Sequence, residues 1–290
     1  MTNFQSIKTA LSHALSQLKI QSIDAKSAKL EAQLLLQHVL NVNRAWLISH
    51  EDDVMQPNIH AAYRALISRR LNGEPIAYIL GYREFYGLKL KVTKDTLIPR
   101  PDTETLVEAA LAKISTTKPY TILDLGTGTG AIALAIAKHR PNALVTAVDA
   151  SQAALNIAIE NTKNLEIPNV TFVLSDWFNS LKDQKFDIIV SNPPYIEEND
   201  AHLKQGDLPW EPISALVAGQ DGLDDVRTII QHTPQHLNSD GWLMLEHGYN
   251  QAERVAALLS QAGFSEISHA HDLAGIARVT LGCYVTSSRA

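Results

Sequence analysis

The side chains in this chain best suited to chemistry lie in residues 191–195, Ser-Asn-Pro-Pro-Tyr. They follow Phe186-Asp187-Ile188-Ile189-Val190, an apolar run that reads as a buried parallel strand, and the two prolines forbid its continuation. An Asn and a Tyr are thereby held on a stiff turn at the carboxyl end of a strand, where open α/β sheets bind ligands. The Asn192 side-chain oxygen is one acceptor and the Pro193 carbonyl is a second close by. Two converging acceptors can hold both N–H donors of a planar amine or amide, such as glutamine, asparagine, adenine or cytosine. Tyr195 could then lie against the flat π-face of that group. With both donors engaged, the nitrogen turns its remaining face toward an electrophile. A tight turn whose Asn bonds nearby backbone explains Asn-Pro alone. It explains the whole string 192–195 at this strand end poorly.

A second turn competes for attention. Asp124-Leu125-Gly126-Thr127-Gly128-Thr129-Gly130-Ala131 joins an expected strand to its helix. Glycines let the backbone turn tightly and approach a ligand, while the helix N-terminus offers unpaired N–H groups. Alone, the loop is ambiguous. Gly126, Gly128 and Ala131 also satisfy the loose dinucleotide fingerprint, and Asp149 could bind ribose hydroxyls in an NAD or an S-adenosylmethionine site. A Walker loop is excluded, since no Lys-Ser or Lys-Thr follows the glycines. Three features favour S-adenosylmethionine. Asp124 precedes the glycines and would aim a carboxylate at the ligand, which suits a cationic ammonium and sulfonium and repels a pyrophosphate. Asp176-Trp177 ends the third strand of the series, offering an acceptor for an adenine amino group and an indole to pack on its ring. No proton relay suited to a dehydrogenase stands beside residues 192–195.

Composition narrows the classes. The chain has 290 residues, 45% apolar and 19% charged, as expected of a globular protein with a substantial core. No apolar run approaches transmembrane length, and the first residues carry no signal-peptide apolar core, so a cytoplasmic, membrane-free protein is expected. Cys283 is the single cysteine, which excludes disulfides within the chain and cysteine-based metal sites. His13, His38, His50 and His60 match no compact metal-ligand spacing, and no metal is expected. The net charge of −6 is uneven. Residues 1–100 carry 13 Lys and Arg against 8 Asp and Glu; residues 101–290 carry 12 against 23. The basic first part could face an acidic or nucleic-acid-containing partner, or the two parts could simply present solvated surfaces of different character.

The elements that must position these groups follow from periodicity. Helical spacing runs over residues 4–20, 25–40 and 59–71, with Ser22-Ile23-Asp24 as capping residues between the first two. This predicts a small helical bundle over residues 1–80. Residues 81–98 read as a hairpin linker with alternating Leu88, Leu90 and Val92. Pro99-Arg100-Pro101-Asp102-Thr103-Glu104 then leads into a helix over 105–114, with Asp102 as its cap and Arg100, Thr103 and Glu104 projecting beside the sheet. From residue 120, strands expected at 121–125, 144–148, 170–174, 186–190, 242–245 and 278–284 alternate with helices at 131–138, 152–162, 223–237 and 252–262. That succession predicts an α/β domain over residues 99–290 with a mostly parallel sheet and helices on both faces.

Together, the 124–130 loop, Asp149, Asp176-Trp177 and Asn192-Pro193-Pro194-Tyr195 resemble those of a class I S-adenosylmethionine-dependent methyltransferase of the amino-directed kind. Residues 81–87 and 98–104, Leu245-Glu246-His247-Gly248, residues 275–278 and the helical N-terminal part extend the resemblance over nearly the whole chain, to the HemK/PrmC family. Trp210-Glu211-Pro212 departs from the Arg- or Phe-bearing segment of that family. The resemblance implies a Rossmann-like, seven-stranded sheet and methyl transfer to the side-chain amide nitrogen (N5) of the glutamine in the Gly-Gly-Gln loop of class 1 peptide-chain release factors, modulating translation termination. It implies that Gly126, Thr127, Gly128, Thr129 and Gly130 wrap the methionine part of the cofactor. Asp149 would hold the ribose, and Asp176 with Trp177 the adenine. Asn192, Pro193, Pro194 and Tyr195 would hold the glutamine, Asn192 also bordering the cofactor, with Arg100, Thr103 and Glu104 around the transfer site. Glu246 is a weaker candidate. The N-terminal bundle would recognise the protein substrate, the enzyme would be a monomer, and no nucleic acid would be stably bound. The rival readings are an N6-adenine or N2-guanine nucleic-acid methyltransferase, which uses the same turn on a flipped base, a non-catalytic cofactor-binding sensor, and a dinucleotide-dependent oxidoreductase.

Overall fold

A computed structural model of the chain describes residues 5–20 and 25–285. The chain divides into two compact units, one ending at Gly81 and the other beginning at Tyr82.

In the first unit, α1 (Ile7–Ile20), α2 (Ala25–Leu40), α3 (Arg44–Ser49), α4 (Pro57–Leu71) and α5 (Ile76–Leu80) enclose one apolar core. Leu18, Leu35, Leu36, Tyr63 and Ile67 are buried there at helical spacing. The Tyr63 hydroxyl, deep in this core, donates to the Ala32 carbonyl at 3.0 Å, because an unpaired buried hydroxyl would be costly. Ser22-Ile23-Asp24 lie outside the described residues. The short helices α3 and α5 go unseen in the periodicity, being about one turn and a half each; Asn43 caps α3 by accepting from the Trp46 N–H at 2.9 Å. Of the histidines noted above, His50 stacks on Trp46 with ring centroids 4.1 Å apart.

The second unit opens with the hairpin β1 (Tyr82–Phe85) and β2 (Leu88–Lys91). Tyr86 and Gly87 both take positive φ at its turn, the backbone that a two-residue hairpin requires. Phe85, Leu88 and Leu90 enter the main core, so the hairpin is an integral part of the sheet domain. Next come α6 (Glu104–Lys113), β3 (Thr121–Leu125), α7 (Ala131–His139), β4 (Leu144–Asp149), α8 (Gln152–Leu165), β5 (Val170–Leu174) and β6 (Phe186–Ser191). The chain closes with α9 (Asp224–His236), β7 (Leu237–Glu246), α10 (Ala252–Gln261), β8 (Ser265–His271) and β9 (Ala277–Tyr284).

Seven strands form one sheet in the order β5-β4-β3-β6-β7-β9-β8, parallel except for β9. The central strands are apolar on both faces, as a doubly covered parallel sheet demands. Ile122, Ile188, Val190 and Met244 point to one core layer with α6, α7 and the hairpin. Leu123, Leu125, Ile189, Leu243 and Leu245 point to the other with α9 and α10. The chain reverses its winding between β3 and β6, which pair with each other while β4 lies on the far side of β3. Ligands bind at the carboxyl ends of strands at such a switch point. β8 is the strand that periodicity misses: Ser-Glu-Ile-Ser-His-Ala-His is polar because it lies at the sheet edge.

Candidate active site

At the switch point Ser191 and Leu125 sit side by side in register, and the buried Ser191 hydroxyl donates to the Leu125 carbonyl at 2.8 Å. The chain leaves β3 into the glycine loop and leaves β6 into Asn192. Between them opens a cavity of about 530 Å³, a size suited to a nucleoside-bearing small molecule. Gly126, Gly128, Asp149, Ser151, Ser175, Asp176, Trp177, Asn192 and Pro194 line it, with residues 94–97 and Pro212, Ser214, Ala215 and Asp225.

The glycine loop is held from beneath by two carboxylates. Asp149, at the end of β4, accepts from the Gly128 N–H and the Ser151 N–H, each at 2.8 Å. Burial pushes its carboxyl up from the usual range, and these two N–H groups pull it back. Asp124 is wholly buried. Its Oδ2 accepts from the Thr127 hydroxyl at 2.6 Å and the Ala133 N–H at 3.2 Å, which pins the start of α7. Its Oδ1 has no partner. Desolvation pushes this carboxyl to about 7. Asp124 therefore faces the loop's underside and does not line the cavity, contrary to the expectation that it points at the ligand.

Three other expected loop residues also turn inward. Thr127 and Thr129 are buried, the first on Asp124 and the second with its carbonyl held by the Asn161 side chain at 2.9 Å. Gly130 closes the loop at the N-cap of α7. Only Gly126 and Gly128 of the five present backbone to the cavity, both at positive φ. A Cβ on Gly126 would stand 3.5 Å from the Trp177 ring. Beside that ring on the cavity wall is Asp225, a residue at the N-terminal end of α9 that the sequence does not announce; burial pushes its carboxyl up and the Trp177 indole offsets part of that rise. Asp176 is exposed at the cavity wall, with Oδ2 taking only a long 3.4 Å bond from Asn179.

On the β6 side, Asn192 and Pro194 face the cavity, while Pro193 is buried and Tyr195 half-buried. Asn192 Nδ2 donates to Thr103 Oγ1 at 3.2 Å, across 89 positions of sequence. Thr103 is buried and interacts with Glu246 at the end of β7, as does the Tyr195 hydroxyl. Burial pushes the Tyr195 phenol up, and the carboxylate of Glu246 adds to that. The turn leaves the site rigidly. Gln251 Nε2 donates to the Tyr195 carbonyl at 3.0 Å, and Ile196 exchanges backbone bonds with Leu216 and Ala218. Gly222 is obligatory beneath it, since a Cβ there would lie 2.3 Å from the Tyr195 carbonyl oxygen. Gln251 and Gly222 are unforeseeable without the fold, because their partner is a distant backbone group.

The remaining expected residues have other partners. Arg100 forms an ion pair with the buried Glu211, whose carboxylate also accepts from the Ile98 N–H at 2.9 Å. The Trp210-Glu211-Pro212 segment thus clamps the approach to α6. Glu104 turns away from the site: its Oε1 accepts from the Tyr86 N–H at the hairpin turn at 2.9 Å. Asp102 caps nothing. Thr103 holds the N-cap position of α6, and Asp102 pairs with Arg278 at 2.9 Å. Among the described residues no cluster could hold a metal, and no helix is long and apolar enough to cross a membrane.

A mostly parallel seven-stranded sheet with this strand order, a glycine turn and an acidic strand end on one side of the switch point, and an Asn-Pro-Pro-Tyr turn on the other, defines a class I, Rossmann-like methyltransferase. Residues 9–81 match the PrmC N-terminal domain, and residues 102–207 match the methyltransferase small domain. The chain belongs to the release factor glutamine methyltransferase family. It is 48% identical to the release factor glutamine methyltransferase of Vibrio cholerae, covering 98% of this chain and 99% of that one. It is 44% identical to that of Escherichia coli, over 94% and 97% of the two chains. A methyltransferase from Pyrococcus furiosus shares the fold, with a TM-score of 0.51 at 16% identity over 76% of this chain and 98% of that one.

Proposed function

We propose that this enzyme transfers a methyl group from S-adenosylmethionine to the side-chain amide nitrogen of the glutamine in the Gly-Gly-Gln loop of a class 1 release factor. The observation that carries this reading is the Asn192 side chain, whose nitrogen is engaged by Thr103 and whose oxygen is therefore left for an incoming N–H. The cavity beside it suits the cofactor in charge as well as in size. Its wall carries Asp149 and Asp176, and Asp124 lies beneath the loop with an unpartnered oxygen. A cationic ammonium and sulfonium are attracted by that field and a pyrophosphate is repelled. Asp149 and Ser151 would meet ribose hydroxyls, and Trp177 and Asp176 the adenine. Bound S-adenosylmethionine supplies an electrophilic methyl group.

The chain's own contribution is orientation. An amide nitrogen is a poor nucleophile because its lone pair is delocalised into the carbonyl. Asn192 Oδ1 and the Pro193 carbonyl accept its two N–H groups, fix its plane and strengthen as positive charge develops on the nitrogen. Alignment of bound reactants contributes roughly 7–11 kcal/mol at best. No general base is required if the proton leaves after transfer, and Tyr195, its phenol pushed up by burial, stays protonated. The helical unit is assigned to release-factor recognition, since it matches the PrmC N-terminal domain.

The test is transfer of labelled methyl from S-adenosylmethionine to a purified release factor, beside a Gln→Ala variant of its Gly-Gly-Gln loop. Label on the intact factor that vanishes in the variant is expected. Label on DNA or ribosomal RNA assayed in parallel, with none on the factor, would mean that the Asn192 turn takes a flipped base.

A further inference from the structure

We propose that Glu246 and Thr103 form a polarity relay that fixes the direction of the Asn192 amide, so that its oxygen and not its nitrogen meets the substrate. The inference rests on the reading of the enzyme as an amide methyltransferase.

The two ends of an Asn side chain have nearly the same shape and opposite hydrogen-bonding character. Turned the wrong way, Asn192 would present donors to the donors of the substrate amide. Something in the protein must choose. Thr103 is the near neighbour, with Oγ1 3.2 Å from the Asn192 amide, but a hydroxyl can either donate or accept and by itself selects nothing.

Selection comes one step further back. Thr103 also lies beside Glu246, a side chain almost wholly removed from solvent, and its hydroxyl helps hold that carboxyl in the ionised form. A carboxylate only accepts. It takes the single Thr103 hydrogen, leaves that oxygen with lone pairs alone, and so requires a donor from Asn192. The amide nitrogen turns to Thr103 and the oxygen to the cavity. Tyr195, on the same strand exit as Asn192, offers its hydroxyl to the same carboxylate, so both side chains of the turn are referred to Glu246.

Glu246 has no ion-pair partner of its own: Arg278, whose charge favours its ionised form, is paired with Asp102 at 2.9 Å and Asp272 at 2.8 Å, and one Glu246 oxygen has no hydrogen-bond partner. A buried acid without an ion-pair partner is costly, and an apolar residue would fill the space. The cost is consistent with a directional role that only an acceptor performs.

The relay also carries a pH dependence. The groups facing Glu246 are Asp102 and Thr103 before α6, Tyr195 after β6 and Arg278 on β9, with His247 next in sequence and Arg100 beside Tyr195. Once protonated, Glu246 can donate to Thr103, whose own hydrogen is then free to turn on Asn192 Oδ1. Turnover is lost as pH falls through the Glu246 titration, which burial brings to about 7.

The experiment uses the full chain, a purified release factor and three variants: Thr103→Val, Thr103→Ser and Glu246→Gln. Thr103→Val keeps the shape and removes the relay, and is expected to lower kcat roughly tenfold or more, the rate equivalent of one charged hydrogen bond, with cofactor Kd unmoved. Thr103→Ser is expected to recover most of that loss. Glu246→Gln can donate where Glu246 accepts; it is expected to lower kcat similarly and to abolish the acid limb of the kcat profile. Wild-type kcat in Thr103→Val, equal damage in Thr103→Ser, or an unchanged acid limb in Glu246→Gln would overturn the relay. A readout independent of substrate separates this from failure of the functional reading. The Asn192 side-chain amide, assigned in nitrogen-15 spectra by its absence in Asn192→Ala, is expected to shift in Thr103→Val and Glu246→Gln. No shift in either overturns the relay, whatever the wild-type enzyme methylates.

Discussion

Two turns meet at the switch point, and they are built on opposite principles. The glycine loop after β3 gains its shape from backbone freedom: Gly126 and Gly128 take left-handed φ, and the two carboxylates that brace the loop, Asp124 through Thr127 and Asp149 through Gly128, lie within 25 residues of sequence. The Asn192 turn gains its shape from stiffness, two prolines, and its partners come from far away. Thr103 precedes it by 89 positions and Gln251 follows Tyr195 by 56. One turn is a backbone cradle for a bound group. The other is a side-chain device whose direction is set by the rest of the fold. Substitutions in the first should act on cofactor affinity, and in the second on turnover.

The largest expected effect is that of Asn192→Ala. It removes the acceptor that follows charge on the reacting nitrogen while leaving the loop across the cavity intact. Loss of one such preorganised polar group typically lowers kcat by about 100- to 1000-fold. Cofactor Kd, measured by calorimetry, is expected to stay near wild type. A variant that lost cofactor binding in proportion to turnover would erase the distinction between the two turns.

Gly126→Val tests the other side. The left-handed φ of 71° is strained for a branched residue, and its γ carbons would be driven at the Trp177 ring. A cost of about 1–2 kcal/mol for the backbone alone corresponds to roughly a tenfold or greater loss of cofactor affinity. At saturating cofactor, kcat is expected to fall much less than in Asn192→Ala. Steady-state kinetics with both substrates varied reads the split directly.

The same contrast explains what was legible in the sequence. Apolar strands and glycine spacing are local signals, so the parallel sheet, the site at its carboxyl edge and the cavity-facing Gly126, Asp149, Asp176, Trp177 and Asn192 could be anticipated. What local signals could not show was direction. Thr127, Thr129 and Glu104 carry the right chemistry at the right place in the chain, and each turns its polar atoms to a backbone or side-chain partner elsewhere. Arg100 is likewise bound to Glu211, 111 positions away. The edge strand β8 hid for a related reason: half-exposed, it lacks the apolar run that marks its buried neighbours.

Asp124→Asn yields the smallest effect and bears on why the cradle tolerates an awkward charge. The folded-state pKa of Asp124 is raised to about 7 from an ordinary value of 3.8. Below the lower value both folded and unfolded chains are protonated at this site, and nothing is lost. Between the two the folded chain keeps a proton that the unfolded chain has released, so stability declines as pH rises through that window. Asn does not titrate, and its oxygen can still accept from Thr127 and Ala133. Any fixed cost of its new amide is the same at every pH. The variant is therefore expected to gain on the wild-type protein, by something on the order of 1–2 kcal/mol, between pH 5 and pH 6.5 in urea unfolding without cofactor. Cofactor affinity is expected to move the other way, because the negative charge under the loop is gone. A gap that does not widen with pH would mean that the unpartnered oxygen of Asp124 already has a compensating group, and that the loop carries no stored electrostatic cost for a cation to relieve.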